Sequence, residues 1–345
     1  MQRWICSVAL LAAMSTAHAV STIWTVTSTG SGGTCTPNST SDADCTLDDA
    51  IADAANGDVV EFAAGVQGQT IVTSEQTITV DLTIDASPGG VTLDGGSANP
   101  LIGITSGATV QLSHASLQHG AAGATGSGGA VYNDGTLTLD SCTVGHNSAG
   151  VSGGGIYNDG SLTISNSTIA DNTATSGGGI LSNGTLVIGN STIAGNSAAS
   201  LGGGMYLTGG YELLLSDLIA GNTAGNGPDI FADATLFYSL GNNLVGDGTG
   251  SNLTPQSSDQ IGTAASPVDP RFVAAGLADN GGATPTIALQ PSSPAFKNGK
   301  CSGGNTPSHP IPAVTVDQRG EPRSPSACTI GAFDLNGIFA DNFEG

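Results

Sequence analysis

Gly128-Gly129-Ala130-Val131-Tyr132-Asn133-Asp134-Gly135 returns in altered form as GGGIYNDG at 153–160, GGGILSNG at 177–184 and GGGMYLTG at 202–209. With Val131, Ile156, Ile180 and Met205 as register marks, the spacings are 25, 24 and 25 residues. Each copy continues alike, with Gly-Thr-Leu-Thr-Leu at 135–139, Gly-Ser-Leu-Thr-Ile at 160–164 and Gly-Thr-Leu-Val-Ile at 184–188. A third motif ends at Asn147, Asn172, Asn196 and Asn222. Apolar residues alternate with period two between Gly, Asn or Asp breaks, so a unit is two or three short strands joined by tight turns. No residues are left for a crossover helix.

At about 3.3 Å per residue, such a unit is long enough to travel once round a narrow cross-section and return. Stacked at about 4.8 Å, successive units make parallel sheets whose inward side chains form ladders. The sequence therefore predicts an all-β, right-handed, single-stranded parallel β-helix, a pectate-lyase-like solenoid. The inward columns read Leu137, Leu162, Leu186; Leu139, Ile164, Ile188; and Cys142, Ser167, Ser191. The Asn column at 147, 172, 196 and 222 is expected to be a structural turn ladder of left-handed residues whose side chains bond the neighbouring coil.

Outward from this core the chain divides into five parts. Residues 1–19 read as a signal peptide, with Arg3, an apolar run and an Ala17-His18-Ala19 cleavage site. Residues 20–66 hold an N-terminal strand, a cysteine-bracketed loop and a short capping helix opened by Thr46 and Asp49. Residues 67–254 are the coils, clearest at 107–222. Residues 255–335 form an irregular Pro-rich C-terminal cap expected to close the far end, because a stack of sheets exposes unpaired edges. Residues 336–345 are a short tail. No other stretch approaches the roughly 18 to 20 apolar residues that span a membrane. Export implies an oxidising compartment, so Cys35 is expected to pair with Cys45 and Cys301 with Cys328, leaving Cys142 as a small buried side chain.

Composition narrows the function. Six Lys and Arg stand against 28 acids, for a net charge of −22. Such a surface repels phosphate backbones and anionic headgroups, which argues against nucleic acid or a membrane surface as partner. Calcium is compatible with loop carboxylates such as Asp42 and Asp44, without an assignable site, and no other cofactor is implied.

Several motifs resemble known exported families. Cys45-Thr46-Leu47-Asp48-Asp49-Ala50-Ile51 resembles the CSLREAI motif that opens a family of exported bacterial β-helix proteins, with Asp48-Asp49 in place of Arg-Glu. The repeats are similar to those of polymorphic outer membrane proteins. Residues 277–286 (LADNGGATPT), 317–323 (DQRGEPR) and 328–333 (CTIGAF) resemble the choice-of-anchor Q domain. The resemblance implies an exported protein at the outer surface of a Gram-negative cell, with a β-helix fold and no assigned activity. The tail resembles short acidic-aromatic tails of exported Gram-negative proteins.

Three chemical readings follow from the residues. A lyase of pectate-lyase type needs Arg or Lys beside bound Ca²⁺, yet none occurs between residues 20 and 270. A galacturonase-like site would need several Asp on neighbouring coils, and no adjacent Asp pair is visible. A carbohydrate-active site at the junction with the C-terminal region would draw on Arg271, Asp269 and Asp279. A second constellation aligns His119, His146 and Asp171 on successive coils, types and spacing that could hold a transition metal or share a proton. A third is the outward array Thr109, Thr136, Ser161, Thr185 with Gln111, Thr138, Thr163, Val187, the flat kind of surface that ice-binding solenoids present. The leading expectation is a non-catalytic surface for adhesion or recognition of extracellular carbohydrate or protein. A polysaccharide lyase or glycoside hydrolase is the alternative.

Overall fold

The computed structural model describes residues 21–233, 237–304, 306, 309–324 and 327–335. The expected signal peptide and tail lie outside them. Short strands wind into three parallel sheets of nine, nine and seven strands, a right-handed β-solenoid. The first sheet contains Leu82–Asp85, Thr109–Ser113, Thr136–Asp140, Ser161–Ser165 and Thr185–Gly189 in order. The second contains Ala115–Gln118, Thr143–Gly145, Thr168–Ala170 and Thr192–Ala194; the third, Val131–Asn133, Ile156–Asn158, Ile180–Ser182 and Met205–Leu207. In register, Val131 faces Ile156, Ile156 faces Ile180 and Ile180 faces Met205.

Alternation decides what enters the core. Leu137, Leu139, Leu162, Ile164, Leu186 and Ile188 point inward and are at most 1% exposed; each contributes about 1.5 to 3 kcal/mol by leaving water. The bore also holds polar ladders. Asn147, Asn172 and Asn196 each donate through Nδ2 to the Oδ1 of the next Asn at 2.9 Å, ending on Asn222, which donates to Asp229. Each also donates to a carbonyl of the preceding coil, as Asn172 does to Val144. Left-handed backbone, however, belongs to the residue before each Asn: His146 and Asp171 have φ of 59° and 57°, and Gly195 and Gly221 follow suit. The expectation that the Asn itself takes that conformation is thus corrected by one position. The corner residue turns the chain, and the Asn side chain is released to reach along the core.

The coils extend further than 67–254 at both ends. Ile23–Val26 pairs with Asp58–Phe62 at the start of the first sheet, and Gln260–Ile261 pairs with Leu244–Val245 in the second. Helix Leu47–Asp53 buries Leu47, Ala50 and Ile51 against the first turns, its amino end capped by Thr46. Cys35 is disulfide-bonded to Cys45, and Cys301 to Cys328.

From about residue 270 the chain turns back along the flank instead of lying over the end. Ile287, with Phe272 and Leu277, packs on Ala170 and Ala194 of the second sheet. Leu289, Ala295, Ile330 and Phe333 pack on Leu218, Ala220 and Leu244. Outward positions on Thr143–Gly145, Thr168–Ala170 and Thr192–Ala194 are small or threonine, and Leu218 and Leu244 continue the covered face further along. Gln318 ties the layers, donating to Cys142 O and Thr143 Oγ1 and accepting from Thr168 Oγ1 at 2.6 Å.

Candidate functional site

Where the returning chain reaches the edge of the second sheet it overhangs the outer face of the first. A groove of about 370 Å³ results, floored by Gln111, Thr138 and Thr163 and by Asp140 and Ser165, and walled by Pro312 to Val316. Its floor is set by the repeat: outward columns fall in register, Thr138 beside Gln111 and Thr163. Its wall is set by two anchors. Ile311 packs on Val187, Leu213 and Leu215 at one side. At the other, the buried Arg323 donates to Asn166 Oδ1 and to the Thr329 and Gly331 carbonyls. Gly189 is required here, since a Cβ would lie 2.4 Å from Ile311 Cγ2.

The groove's titratable groups, His114 and Asp140, stand in and beside a column that ends the first-sheet strands and continues past the groove to Asp85. Asp85, Ser113, Asp140 and Ser165 stand side by side on successive turns. His114, at a left-handed corner with φ 57°, places Nδ1 3.2 Å from Asp85 Oδ1. Burial works to raise Asp85, but hydrogen bonds from the Ser87 amide and from the Ser113, Ser87 and His114 side chains outweigh it and hold the carboxyl below its ordinary range. Asp140 goes the other way. Burial raises it, His114 and Ser165 oppose the rise, and the charge of Asp85 adds to it. The pair therefore combines a carboxylate fixed as an acceptor with a carboxyl biased toward the protonated form. The groove lining contains no Lys or Arg. Arg319, in an adjoining recess with His114 and Ser141, is neutralised by Asp317 at 2.6 Å and lies over the Phe333 ring.

Sequence reasoning passed over Asp85, His114 and Asp140. It looked for Asp on adjacent coils, whereas these two stand two turns apart with Ser113 between. The available signal was the aspartate closing both LTID and TLTLD, at the same place in the repeat.

His119, His146 and Asp171 do occupy successive turns of one column. The two imidazoles stack with centroids 5.9 Å apart and 16° between planes. His119 Nδ1 bonds Asp94 Oδ2 at 2.9 Å, and His146 Nδ1 lies 4.0 Å from Asp171 Oδ2. The column is thus a run of separate His–Asp pairs. Near-parallel rings do not aim their nitrogens at one point, and among the described residues no group of three His, Cys, Asp or Glu could hold a metal ion.

The other candidates separate. Asp269 caps the Arg271 amide at one end of strand Phe272–Ala278, and Asp279 caps Gly281 beyond its other end. The strand bulges between them, so that Phe272 faces Leu289 and Leu277 faces Ile287, and each carboxylate serves its own turn. Asp42 is engaged by the Thr36 amide and the Ser39 hydroxyl, while Asp44 is exposed on the same loop. The threonine array is in register, but Val187 is only 3% exposed beneath Ile311, so the flat face is interrupted. Cys142 is buried, and burial pushes its thiol up to about 12. Among the described residues no helix is long and apolar enough to cross a membrane.

Residues 100–260 match the family model of the right-handed β-helix region. Among solved structures, the crystal structure of pectate lyase Pel9A is similar, at 13% identity over 91% of this chain and 96% of that one, with a TM-score of 0.46. No curated protein matches the sequence.

Proposed function

We propose that this is an exported β-helix protein that binds an uncharged polysaccharide in the groove on the outer face of its first sheet, without cleaving it. The observation that carries the reading is the groove itself: hydroxyl, amide and carboxyl groups repeated at one-coil spacing along a shallow channel, with no Lys or Arg in its lining. A periodic row of polar groups suits a periodic, hydroxyl-rich chain. A polyuronate would meet Asp140 and a strongly negative protein with no Lys or Arg in the lining to receive it. Export is supported by the signal-like residues 1–19, by the likeness to CSLREAI and choice-of-anchor Q proteins, and by two disulfide bonds.

Calorimetry with oligomers from neutral and acidic polysaccharides, with and without Ca²⁺, tests the reading. Binding of a neutral oligomer that is lost in Thr163→Trp, with the product pool unchanged, supports it. Failure of every oligomer to bind overturns it. One observation favours a hydrolytic reading as well: the opposed shifts of Asp85 and Asp140 are those an acid and base pair needs. New reducing ends that vanish in Asp140→Asn would select that reading.

A further inference from the structure

A second exposed surface lies on the third sheet, away from the groove. Its outward column runs Gly103, Tyr132, Tyr157, Leu181, Tyr206 and Phe231, one residue per coil in unbroken register. The Tyr132 and Tyr157 rings stack with centroids 4.9 Å apart, and Tyr206 and Phe231 meet at 5.6 Å. All four aromatic side chains are partly open to solvent. Aromatics make up only 4% of the chain, so four on one stripe is a concentration that the thin core does not require.

Two residues further along each strand a polar column accompanies the rings: Asp134, Asp159, Asn183, Thr208 and Asp233. Asn183 Nδ2 joins the two columns, donating to Tyr157 Oη at 2.9 Å and to Asp159 Oδ1, and Tyr206 Oη donates to Asp233 Oδ2 at 2.9 Å. At the head of the stripe the missing side chain of Gly103 leaves space that Glu75 enters, its Oε1 2.8 Å from where a Cβ would stand. Glu75 and Tyr132 share a recess of about 400 Å³ there. Burial and then the charges of Asp134 and Asp159 raise the Tyr132 hydroxyl, a sign of the negative field over the rings. The coils supply no Lys or Arg of their own.

Aromatic faces beside carboxylates are the chemistry of ammonium recognition. From this juxtaposition we infer that the stripe from Glu75 to Asp233 binds a cationic amino polysaccharide, its sugar rings on the aromatic column and its ammonium groups toward the acidic one. The repeat favours a polymer, because two ring pairs, Tyr132 with Tyr157 and Tyr206 with Phe231, each at the coil spacing of about 4.8 Å, are separated along one column by the coil of Leu181, with acids beside the first pair and the last ring. It favours an amino sugar over a basic peptide, because a pyranose carries its apolar face and its ammonium rigidly, whereas Lys side chains lose rotamer freedom on binding.

The test is calorimetry of the full chain with short β-1,4-linked glucosamine oligomers, their N-acetylated counterparts and oligolysine, at low and high salt. The glucosamine oligomer should bind, weaken as salt rises, and lose about five- to tenfold in affinity in Tyr157→Ala and in Asp159→Asn. Both positions are at the surface, and an unchanged melting curve shows that the coils persist. Thr163→Trp in the groove should leave this binding intact, which separates this site from the neutral-glycan reading. Equal affinity for the N-acetylated oligomer, tighter binding of oligolysine, or indifference to both stripe variants each overturns the inference.

Discussion

Glu212 offers the sharpest test of how the bore is held together. It occupies the inward column between Leu186 and Phe237, is 1% exposed, and neither carboxylate oxygen has a hydrogen-bond partner. Burial pushes its carboxyl up to about 7 from an ordinary 4.5. Because the folded value is the higher one, the contribution to stability is full below about pH 4.5 and is lost as pH rises toward 7. The difference of about 2.5 units at about 1.4 kcal/mol each sets the loss at pH 8 at no more than about 3.5 kcal/mol. Glu212→Leu removes the charge at nearly constant volume and continues the leucine column. It should therefore add up to about 3.5 kcal/mol at pH 8 relative to pH 4. Urea unfolding of both proteins at the two pH values measures this, and taking the difference between variant and wild type cancels other buried acids such as Asp217. Coils can open locally, so amide exchange over residues 205–245 should show the same change. A variant-minus-wild-type difference that is flat from pH 4 to pH 8 would refute the reasoning.

Other perturbations read other parts of the frame. Asn172→Ala removes a side chain that makes four hydrogen bonds and leaves the buried Asn147 amide without its acceptor, so urea unfolding should show a loss of about 2 to 4 kcal/mol. Gly189→Ala drives a Cβ into Ile311 and should lift the groove wall, seen as faster proteolysis within residues 300–324 while the far-UV spectrum of the coils is unchanged. Replacing Cys301 and Cys328 by Ser opens a loop with a sequence separation of 27, which should cost about 3 to 4 kcal/mol and abolish groove binding before the coils melt.

The coils were legible because a repeat states its own register: Val131, Ile156, Ile180 and Met205 alone fix one sheet, and the inward columns follow by alternation. The capping helix was legible from Thr46 and Asp49. What did not show was the path of residues 270–335, since nothing periodic connects them to the coils. Yet Gly145, Ala170, Ala194 and Ala220 form an outward column too small for an exposed strand face, which in retrospect marks a covered surface. The groove residues were hidden for the same reason, because half of that site is the returning chain. The His119, His146 and Asp171 column was correctly aligned, but spacing says nothing of ring orientation, and orientation is what separates a metal cage from stacked pairs.

The three outer faces therefore serve different ends, and the residue types on each say why. Gln118, Gly145, Ala170, Ala194 and Ala220 give the second sheet a column of mostly small residues that the returning chain buries. The first sheet changes character along its length, from Gln111, Thr138 and Thr163 under the open groove to Val187 and Leu213 under Ile311. The third sheet carries four aromatic side chains outward that stay partly open to solvent. A solenoid that needed only a soluble exterior would place Thr or Ser there, as the first sheet does at Thr136, Thr138, Ser161 and Thr163. Holding Tyr132, Tyr157, Tyr206 and Phe231 at a solvent-facing column forgoes apolar burial worth more than 1 kcal/mol for each ring, and an occupant that stacks on them recovers it.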